Sequence, residues 1–324
     1  MLYEWITGKL SPDAALWIGA LIAFVLTFFL MWKPLPGLPR DGGKKVETPD
    51  GKIVVVNDKS SGKITGIGVV FVPVFLLVSL FFLPLTSELM IYMALMLAMM
   101  LTGFLDDAAK VPWGELLKGI LDLVLAIGTV VTFLCYHSSD IIIFGQVIHI
   151  PVVLYGILGV ALVWFSINVT NCSDGVDGLC GSVTVVILVA YFGFFNEIMP
   201  AYTRMGIYFA ATLVGYLCFN WNPSKVLMGD AGSRTIGFFL ALLAMQSGHP
   251  FIFLLMSLVF IFDGGIGLFK LTMLRVFKWN PLKNVLTPFH DHMRKRMNIP
   301  IKAIPIIFGV LQVIFCLIGG LIAK

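Results

Sequence analysis

Long apolar stretches recur along the whole chain and are separated by shorter polar segments. Ten can be delimited, near residues 14–32, 66–85, 89–105, 117–134, 152–168, 179–196, 204–221, 234–248, 250–270 and 303–323. An α-helix of about 20 apolar residues crosses the ~30 Å hydrocarbon core of a bilayer. The sequence therefore predicts an all-α, polytopic integral membrane protein with about ten transmembrane helices, forming a single transmembrane domain over residues 1–324.

The composition excludes most other classes of protein. Hydrophobic residues make up 59% of the chain and charged residues 12%, and the latter is about half the ~25% of a soluble domain. So few charges cannot cover the surface of a soluble globule. The net charge of +4 is too small to indicate a nucleic-acid partner. The five cysteines are scattered and odd in number, so they indicate neither a disulfide framework nor a zinc site.

The basic residues are divided very unequally between the two sets of loops that ten spans create. Of the 22 lysines and arginines, only Lys9, Arg204 and Lys324 fall on the side of the two termini. Loops rich in lysine and arginine remain on the cytoplasmic side of a membrane. We therefore predict that both termini are extracytoplasmic and that the opposite loops face the cytoplasm.

Two adjacent carboxylates, Asp106 and Asp107, lie at the predicted cytoplasmic end of the third span, in the sequence Gly-Phe-Leu-Asp-Asp-Ala-Ala-Lys of residues 103–110. Such a pair suits a hard cation such as Mg²⁺, or a general base. A solvated helix end is the alternative interpretation. Asp122 and Asp263 are the only acidic residues predicted to lie inside the spans.

A row of amides and carboxylates follows the fifth span, at the same predicted face. Its members occur at every third position and are Asn168, Asn171, Asp174 and Asp177. On an α-helix this spacing drifts around the surface, whereas a 3₁₀ turn would align it on one face. Because polar groups beside apolar spans are costly unless they bind something, the row predicts a binding site.

The sequence Met228-Gly229-Asp230 precedes the eighth span and continues into Ala-Gly-Ser233. Asp230 and Ser233 are both suitable residues for capping a helix N-terminus. A glycine-rich approach to a helix N-terminus also offers free N–H groups to a phosphate. Capping alone is the alternative interpretation.

Histidines and cations are concentrated in residues 288–296. His290, His292 and Arg294, with the following Lys-Arg, are typical of a phosphate or pyrophosphate site. A zinc ligand pair and a patch for anionic lipid are the alternatives. Asp291 is expected to raise the pKa of both histidines if the side chains approach. A loop histidine is expected to contribute little to stability.

The polar segment of residues 40–68 contains Arg40-Asp41-Gly42 and, later, Lys63, a candidate phosphate contact. Turn signals on both sides of residues 54–56 predict a short hairpin within residues 52–59.

In this order along the chain, three motifs resemble those of the polyprenyl-phosphate N-acetylhexosamine-1-phosphate transferases. They are Asp106-Asp107, residues 168–178 and Met228-Gly229-Asp230. Within that superfamily, three further features are similar to the phospho-N-acetylmuramoyl-pentapeptide transferases. These are Arg40-Asp41-Gly42 followed by Lys63, the run of residues 267–278, and the Pro-x-His-x-His order at 288–292. Two positions differ from that family, which has a third histidine at Asp291 and an aromatic residue at Leu227.

The resemblance implies transfer of phospho-N-acetylmuramoyl-pentapeptide from UDP-MurNAc-pentapeptide to undecaprenyl phosphate, giving UMP and lipid I for peptidoglycan synthesis. It implies Mg²⁺ as the cofactor, the bacterial plasma membrane as the location, and an active site facing the cytoplasm, and it is compatible with a homodimer. The nearest alternative is a GlcNAc-1-phosphate transferase that uses UDP-GlcNAc. A membrane transporter without transferase activity is a distant one.

The resemblance also implies roles for the candidate residues. Asp230 would bind the metal together with Asp107, and Asp106 or Asp107 would deprotonate or orient the lipid phosphate. The diphosphate or nucleotide would contact His290, His292 and Arg294, and Lys63 and Lys110 would lie near phosphates. The uridine and sugar pocket would be formed by Asn168, Asn171, Asp174 and Asp177. Direct attack and a covalent aspartyl intermediate both fit these residues.

Overall fold

The computed structural model describes residues 8–33, 37–42, 44–47, 53–56, 62–109, 111 and 113–323. Most of these residues are helical, as predicted. The first eight helices are α1 (Pro12–Trp32), α2 (Gly68–Phe82), α3 (Ser87–Asp107), α4 (Glu115–Tyr136), α5 (Val152–Ser173), α6 (Leu179–Phe195), α7 (Pro200–Asn220) and α8 (Gly229–Gln246).

The ninth apolar stretch is divided into short helical pieces. A 3₁₀ turn at Pro250–Ile252 leads into α9 (Phe253–Met256) and α10 (Leu258–Phe260), and a π-helical turn at Ile261–Gly265 leads into α11 (Ile266–Phe277). The chain then forms the short α12 (Phe289–Lys295) and the long α13 (Ala303–Ala323).

Helix starts follow local chemistry that the sequence displays. Ser11 precedes α1, and its hydroxyl accepts a hydrogen bond from the backbone N–H of Ala14 at 3.2 Å. Thr86 caps α3 in the same way, accepting from Leu89 N–H at 3.1 Å. Such caps satisfy N–H groups that have no partner within the helix.

Among the described residues, five helices are long and apolar enough to cross a membrane, namely α1, α3, α4, α5 and α13. The bent segment from Pro250 to Phe277 is a sixth candidate if it is counted as one span. α2 and α6 are apolar but shorter, with 15 and 17 residues, and α2 contains Pro73. A multi-pass helical membrane protein is thus supported, and the count of ten spans stays a prediction.

The described part of the chain also contains two short β-hairpins. β1 (Lys44–Glu47) pairs antiparallel with β2 (Ile53–Val56), so the hairpin predicted within residues 52–59 was wrong in its extent. Its second strand pairs with residues on the N-terminal side, and residues 57–59 lie outside the described part of the chain. The second hairpin joins β3 (Asp140–Ile143) to β4 (Gln146–His149) and was not predicted.

Helix α8 lies at the centre of the helical bundle and is buried over nearly its whole length. Its N-terminal turn is in close contact with α2 and α3, and glycines permit that contact. A Cβ added to Gly68 would lie 2.2 Å from the backbone N of Gly232, and one added to Gly103 would lie 2.5 Å from that of Ala231. The ends of three helices therefore meet at one point, where the candidate site lies.

The ninth apolar stretch, predicted as one of the ten spans, is not a single continuous helix. The chain bends by 68° at a break near Ser257. Gln312 of α13 binds the backbone on both sides of that break, since its Nε2 donates to Met256 O at 2.8 Å and its Oε1 accepts from Val259 N–H at 3.2 Å. A buried amide thus satisfies backbone groups that an uninterrupted helix would satisfy itself.

We predict that Gln312→Leu destabilises the protein. The substitution leaves the buried backbone groups of Met256 and Val259 without these partners, at a cost of about 1–3 kcal/mol each. The melting temperature of the purified protein in detergent should fall measurably. Val313→Leu, at a position of the same helix that is 43% exposed, is the matched control and should leave the melting temperature unchanged. Equal melting temperatures in the two variants would contradict this account of the break.

Candidate active site

Three carboxylates and one ammonium group meet at the N-terminus of α8. Lys118 of α4 forms an ion pair with Asp106 of α3, and its Nζ also lies 3.2 Å from Oδ2 of Asp230. The other carboxylate oxygen of Asp106 accepts from the backbone N–H of Trp113 at 2.7 Å. Lys118 therefore joins two carboxylates that are far apart in the sequence.

Asp107 binds the first turn of α8 directly. Its Oδ1 accepts from the N–H of Asp230 and its Oδ2 from the N–H of Ala231, both at 3.2 Å. Gly229 has φ +67, and a Cβ there would lie 2.3 Å from Asp107 Oδ2. The carboxylate thus uses the free N–H groups and the positive end of the helix dipole. These contacts bring Asp106, Asp107 and Asp230 together at the first turn of α8.

Asn171 completes this cluster from α5. Its Nδ2 donates to Asp230 Oδ1 at 2.9 Å and lies 3.3 Å from Ser233 Oγ. Asn168 instead donates to Trp164 O of its own helix at 2.8 Å. The segment is α-helical as far as Ser173, so the three-residue spacing turns Asn168 away from the cluster.

A polar cavity of about 470 Å³ adjoins the cluster. Its polar lining includes Lys63, Asp174, Asp177, Asn222, His290 and Arg294. The loops that follow α5 and α7, the segment before α2 and the start of α12 form its walls. The cavity therefore collects polar side chains from four separate parts of the sequence.

Asp177 organises one side of the cavity. Its carboxylate accepts from Asn222 Nδ2 at 2.9 Å, from Ser224 N–H at 3.1 Å and from Ser224 Oγ–H at 2.7 Å. Lys63 Nζ lies 3.7 Å from this carboxylate and donates to Ser224 Oγ at 2.7 Å. Burial opposes ionisation, but these hydrogen bonds and the charge of Lys63 lower the pKa of Asp177 below its usual value. Asp177 is therefore an anion at neutral pH.

Asp174 has the opposite electrostatic environment. Burial, together with the negative charges of Asp230, Asp107 and Asp177, raises its pKa well above the usual value. Around the cluster, two ammonium groups, those of Lys118 and Lys63, face a larger number of carboxylates. These are Asp106, Asp107, Asp174, Asp177 and Asp230. Such an excess of negative charge is relieved by binding a further cation or a proton.

The donor chemistry of the cluster is suited to magnesium. Within the described ranges, no group of three or more His, Cys, Asp or Glu side chains is arranged to hold a metal by itself. Mg²⁺ is commonly bound through one or two carboxylates, with waters and substrate phosphates completing its shell. Asp107 and Asp230 provide two such carboxylates beside a cavity, so the residues present fit this mode of binding.

His290 of α12 is buried between the π-helical turn that contains Asp263 and the loop that contains Gly175. Its backbone N–H donates to Asp263 Oδ1 at 2.6 Å, and its ring Nδ1 lies 2.8 Å from Asp263 Oδ2. The ring Nε2 is directed toward Gly175, where an added Cβ would lie 2.3 Å from it. The residue is only 2% exposed, so it is not the solvent-exposed loop histidine on which the expectation of a small contribution to stability was based.

The neighbours of His290 have separate environments. Asp291 binds Arg294 at 2.7 Å and Lys295 at 2.6 Å, so its hydrogen bonds go to these cations and not to the histidine rings. Burial opposes ionisation of Asp291, but the hydrogen bond from Lys295 and the charge of Arg294 lower its pKa. His292 Nδ1 accepts from Leu286 N–H at 3.3 Å, and its ring stacks on Phe289.

The structure thus brings most of the predicted residues to one place. Lys63, Asp174, Asp177, His290 and Arg294 line the cavity. Lys110 lies outside the described residues, and Asn168 and His292 make their contacts elsewhere. These placements leave the functional roles of the residues as predictions.

Sequence reasoning missed Lys118, Asn222, Ser224 and the role of Asp263. Asp263 carried a signal, because an acidic residue inside an apolar span is expected to have a specific partner. Lys118 was visible only as a cation near the start of a span. Asn222 and Ser224 lie in a short loop whose sequence gives no sign of its partner.

Comparison with known proteins identifies the family. A family model described as glycosyl transferase family 4 matches residues 89–248. The phospho-N-acetylmuramoyl-pentapeptide-transferase of Treponema pallidum (strain Nichols) is 36% identical over 318 residues, covering 90% of this chain and 85% of the relative. The chain belongs to the phospho-N-acetylmuramoyl-pentapeptide-transferase family.

Two more distant relatives carry the same name. The protein of Carboxydothermus hydrogenoformans is 30% identical over 295 residues, covering 81% of this chain and 85% of the relative. That of Streptococcus pneumoniae (strain Taiwan19F-14) is 32% identical over 231 residues, covering 67% and 68%. The resemblance inferred from the motifs is thereby confirmed.

The pairing of His290 with Asp263 predicts a measurable contribution to stability. Asp263→Ala leaves two buried donors of His290 without a partner, at a cost of about 1–3 kcal/mol for each group. The melting temperature should fall, and trypsin should cleave faster after Lys295 and Arg296.

Asp291→Ala is the matched control. It removes ion pairs to Arg294 and Lys295 that lie within one helical turn, and such partly exposed pairs contribute about 0.3–0.5 kcal/mol each. We expect a much smaller change in melting temperature and cleavage. If both variants are equally stable, Asp263 does not hold this helix in place.

Proposed function

We propose that this protein transfers phospho-N-acetylmuramoyl-pentapeptide from UDP-MurNAc-pentapeptide to undecaprenyl phosphate, producing UMP and membrane-bound lipid I for peptidoglycan synthesis. The observation that carries the proposal is the cluster of Asp106, Asp107, Lys118 and Asp230 beside a polar cavity, in a member of this transferase family. The carboxylates could bind a metal ion and the ammonium group could bind phosphate.

In the proposed reaction, a phosphate oxygen of undecaprenyl phosphate attacks the β-phosphorus of the UDP-sugar. A new phosphorus–oxygen bond forms, and the bond between the two phosphates of the nucleotide breaks, so that UMP leaves with the bonding electron pair. Negative charge on the phosphate oxygens must be stabilised while this occurs. Lys118 and the N-terminal N–H groups of α8 are the nearest positive groups in the cluster.

Asp106 or Asp107 would orient the lipid phosphate or accept its proton. We favour direct attack over an aspartyl intermediate, since the lipid phosphate is already an anionic nucleophile. Lys63 and Arg294 would hold the diphosphate at the cavity, while Asp174 and Asp177 would contact the nucleoside and sugar. Asp177 is suited to accept hydrogen bonds, because its lowered pKa keeps it ionised.

We further propose Mg²⁺ as the cofactor, with Asp230 and Asp107 as its protein ligands. When bound, the ion would neutralise charge on the diphosphate. Asn171 donates to one oxygen of Asp230 and Lys118 interacts with the other, so the chain itself orients this carboxylate. Asp107 is oriented by the N–H groups of α8.

We propose a bacterial plasma-membrane location with ten spans, extracytoplasmic termini and an active site facing the cytoplasm. Three observations support it: the unequal distribution of lysine and arginine, the apolar helices, and the need of a soluble nucleotide to reach the site. A homodimer stays a prediction from family resemblance.

Release of UMP tests the proposed function. Purified protein with undecaprenyl phosphate, Mg²⁺ and UDP-MurNAc-pentapeptide should release UMP and form lipid I. Asp230→Asn should lower kcat by about 10²-fold or more, because a preorganised charge at the reacting centre is lost. Asp140→Asn, in the distant β3, is the control and should keep wild-type kinetics.

UMP release with UDP-GlcNAc but not with UDP-MurNAc-pentapeptide would identify the GlcNAc-1-phosphate transferase alternative. Substrate uptake into proteoliposomes without UMP release would favour a transporter. Wild-type turnover by Asp230→Asn would remove that residue from the proposed mechanism.

Cysteine labelling tests the proposed sidedness. In a background without the native cysteines, Gln146→Cys in the exposed β3–β4 hairpin should react with a membrane-impermeant maleimide added to intact cells. Lys283→Cys, in the exposed segment before α12, should react only after the membrane is permeabilised. The reverse pattern would place the active site on the wrong side for a cytoplasmic nucleotide.

A further inference from the structure

A second ion pair lies next to the carboxylate cluster and takes no part in the mechanism described above. Asp122 of α4 accepts from Arg234 of α8 through both Nε, at 3.1 Å, and Nη2. The two side chains are 4% and 2% exposed, so the pair is inside the protein. The remaining nitrogen, Nη1 of Arg234, is buried and has no hydrogen-bond partner within the described residues.

The spacing of the four charges relates this pair to the site. Asp122 follows Lys118 by four residues on α4, and Arg234 follows Asp230 by four residues on α8. Side chains four residues apart lie on the same face of a helix, one turn from each other. Two ion pairs therefore connect α4 and α8, one helical turn apart. The cation lies on α4 in the first pair and on α8 in the second. Asp122 also interacts electrostatically with both Lys118 and Asp230.

The same four charges could form a different set of ion pairs, and that set would inactivate the site. Residues of opposite charge at positions i and i+4 attract each other along a helix. Lys118 could therefore pair with Asp122, leaving Asp106 and Asp230 without their cation. Arg234, which already has an unpartnered nitrogen, could pair with Asp230 and draw it away from Asn171.

Stability alone is a weak reason for a buried ion pair. The cost of removing two charges from water can exceed their mutual attraction, and apolar replacements of such pairs are often neutral or stabilising. A polar pair in this position is more readily explained by what it prevents. Asp122 neutralises the charge of Arg234, and Arg234 that of Asp122. Either charge, if left unpaired, would act on the candidate catalytic cluster.

We propose that Asp122 and Arg234 are positioning residues that bind one another and thereby keep Lys118 on Asp106 and Asp230. This inference rests on the proposed transferase function for its kinetic consequences. Removal of one partner should be worse for turnover than removal of both, because only the single variants leave a free charge one turn from the cluster.

Arg234→Met is the single variant that frees Asp122. We expect Lys118 to move toward Asp122, so that kcat for UMP release falls about tenfold or more, equivalent to about 1.4 kcal/mol or more of lost transition-state stabilisation. The KM for UDP-MurNAc-pentapeptide should stay within about twofold, since the residues lining the nucleotide cavity are unchanged. A merely structural role would instead lower the folded fraction and leave kcat per folded molecule intact.

Asp122→Leu/Arg234→Met is the matched double variant. It removes both charges and fills the position with apolar side chains, so neither cross-pairing can occur. We expect a kcat within about threefold of wild type, a recovery that independent effects would not give. If neither Arg234→Met nor Asp122→Leu can be purified, the double variant decides alone, and a kcat more than tenfold below wild type overturns the proposal.

Two other results would overturn the proposal. One is a folded Arg234→Met variant with wild-type kcat, and the other is a double variant as slow as the single one. A structure of Arg234→Met provides a test that needs no activity: Lys118 Nζ should lie closer to Asp122 than to Asp230. If the wild-type protein releases no UMP, the proposed function fails, and this distance still decides whether the pair positions Lys118.

Discussion

The charges at the N-terminus of α8 must balance if the surrounding helix ends are to meet there. Asp106, Asp107 and Asp230 meet where three helices end, and like charges this close repel strongly in a poorly solvated place. The repulsion is countered by Lys118 and by the N–H groups of α8. These groups reach the carboxylates only because glycines on neighbouring helices let the backbones approach.

The helical membrane class could be predicted from the sequence, because continuous apolar stretches are a local property that the bilayer requires. The bend at Ser257 could not, since the side chain that binds the backbone on both sides of it, Gln312, comes from a helix that begins 46 residues later. The exposed β3–β4 hairpin was missed for a different reason. Its turn, Phe144-Gly145, has positive φ at both residues, and phenylalanine is not a residue that signals such a turn.

The candidate site was predictable to the extent that its residues lie at the ends of spans on one face. Asp106, Asp107 and Asp230 were found in this way, whereas side-chain partners depend on how helices pack. His290 and Asp263 were both noted, but nothing in the sequence shows that they bind each other. An α-helical rather than 3₁₀ continuation of α5 likewise decides that Asn171, and not Asn168, reaches Asp230.

The cavity and the carboxylate cluster are held together by backbone pairing as well as by side chains. Ile64 forms a parallel bridge with Val226, and the N–H groups of Ile67 and Gly68 donate to Leu227 O at 3.2 Å and Met228 O at 3.0 Å. Lys63 at the cavity and Asp230 in the cluster thus lie on segments that bind each other directly. A substrate phosphate bound near Lys63 would therefore be fixed in its distance from the carboxylates. Such positioning is itself a large part of what catalysis of phosphoryl transfer requires.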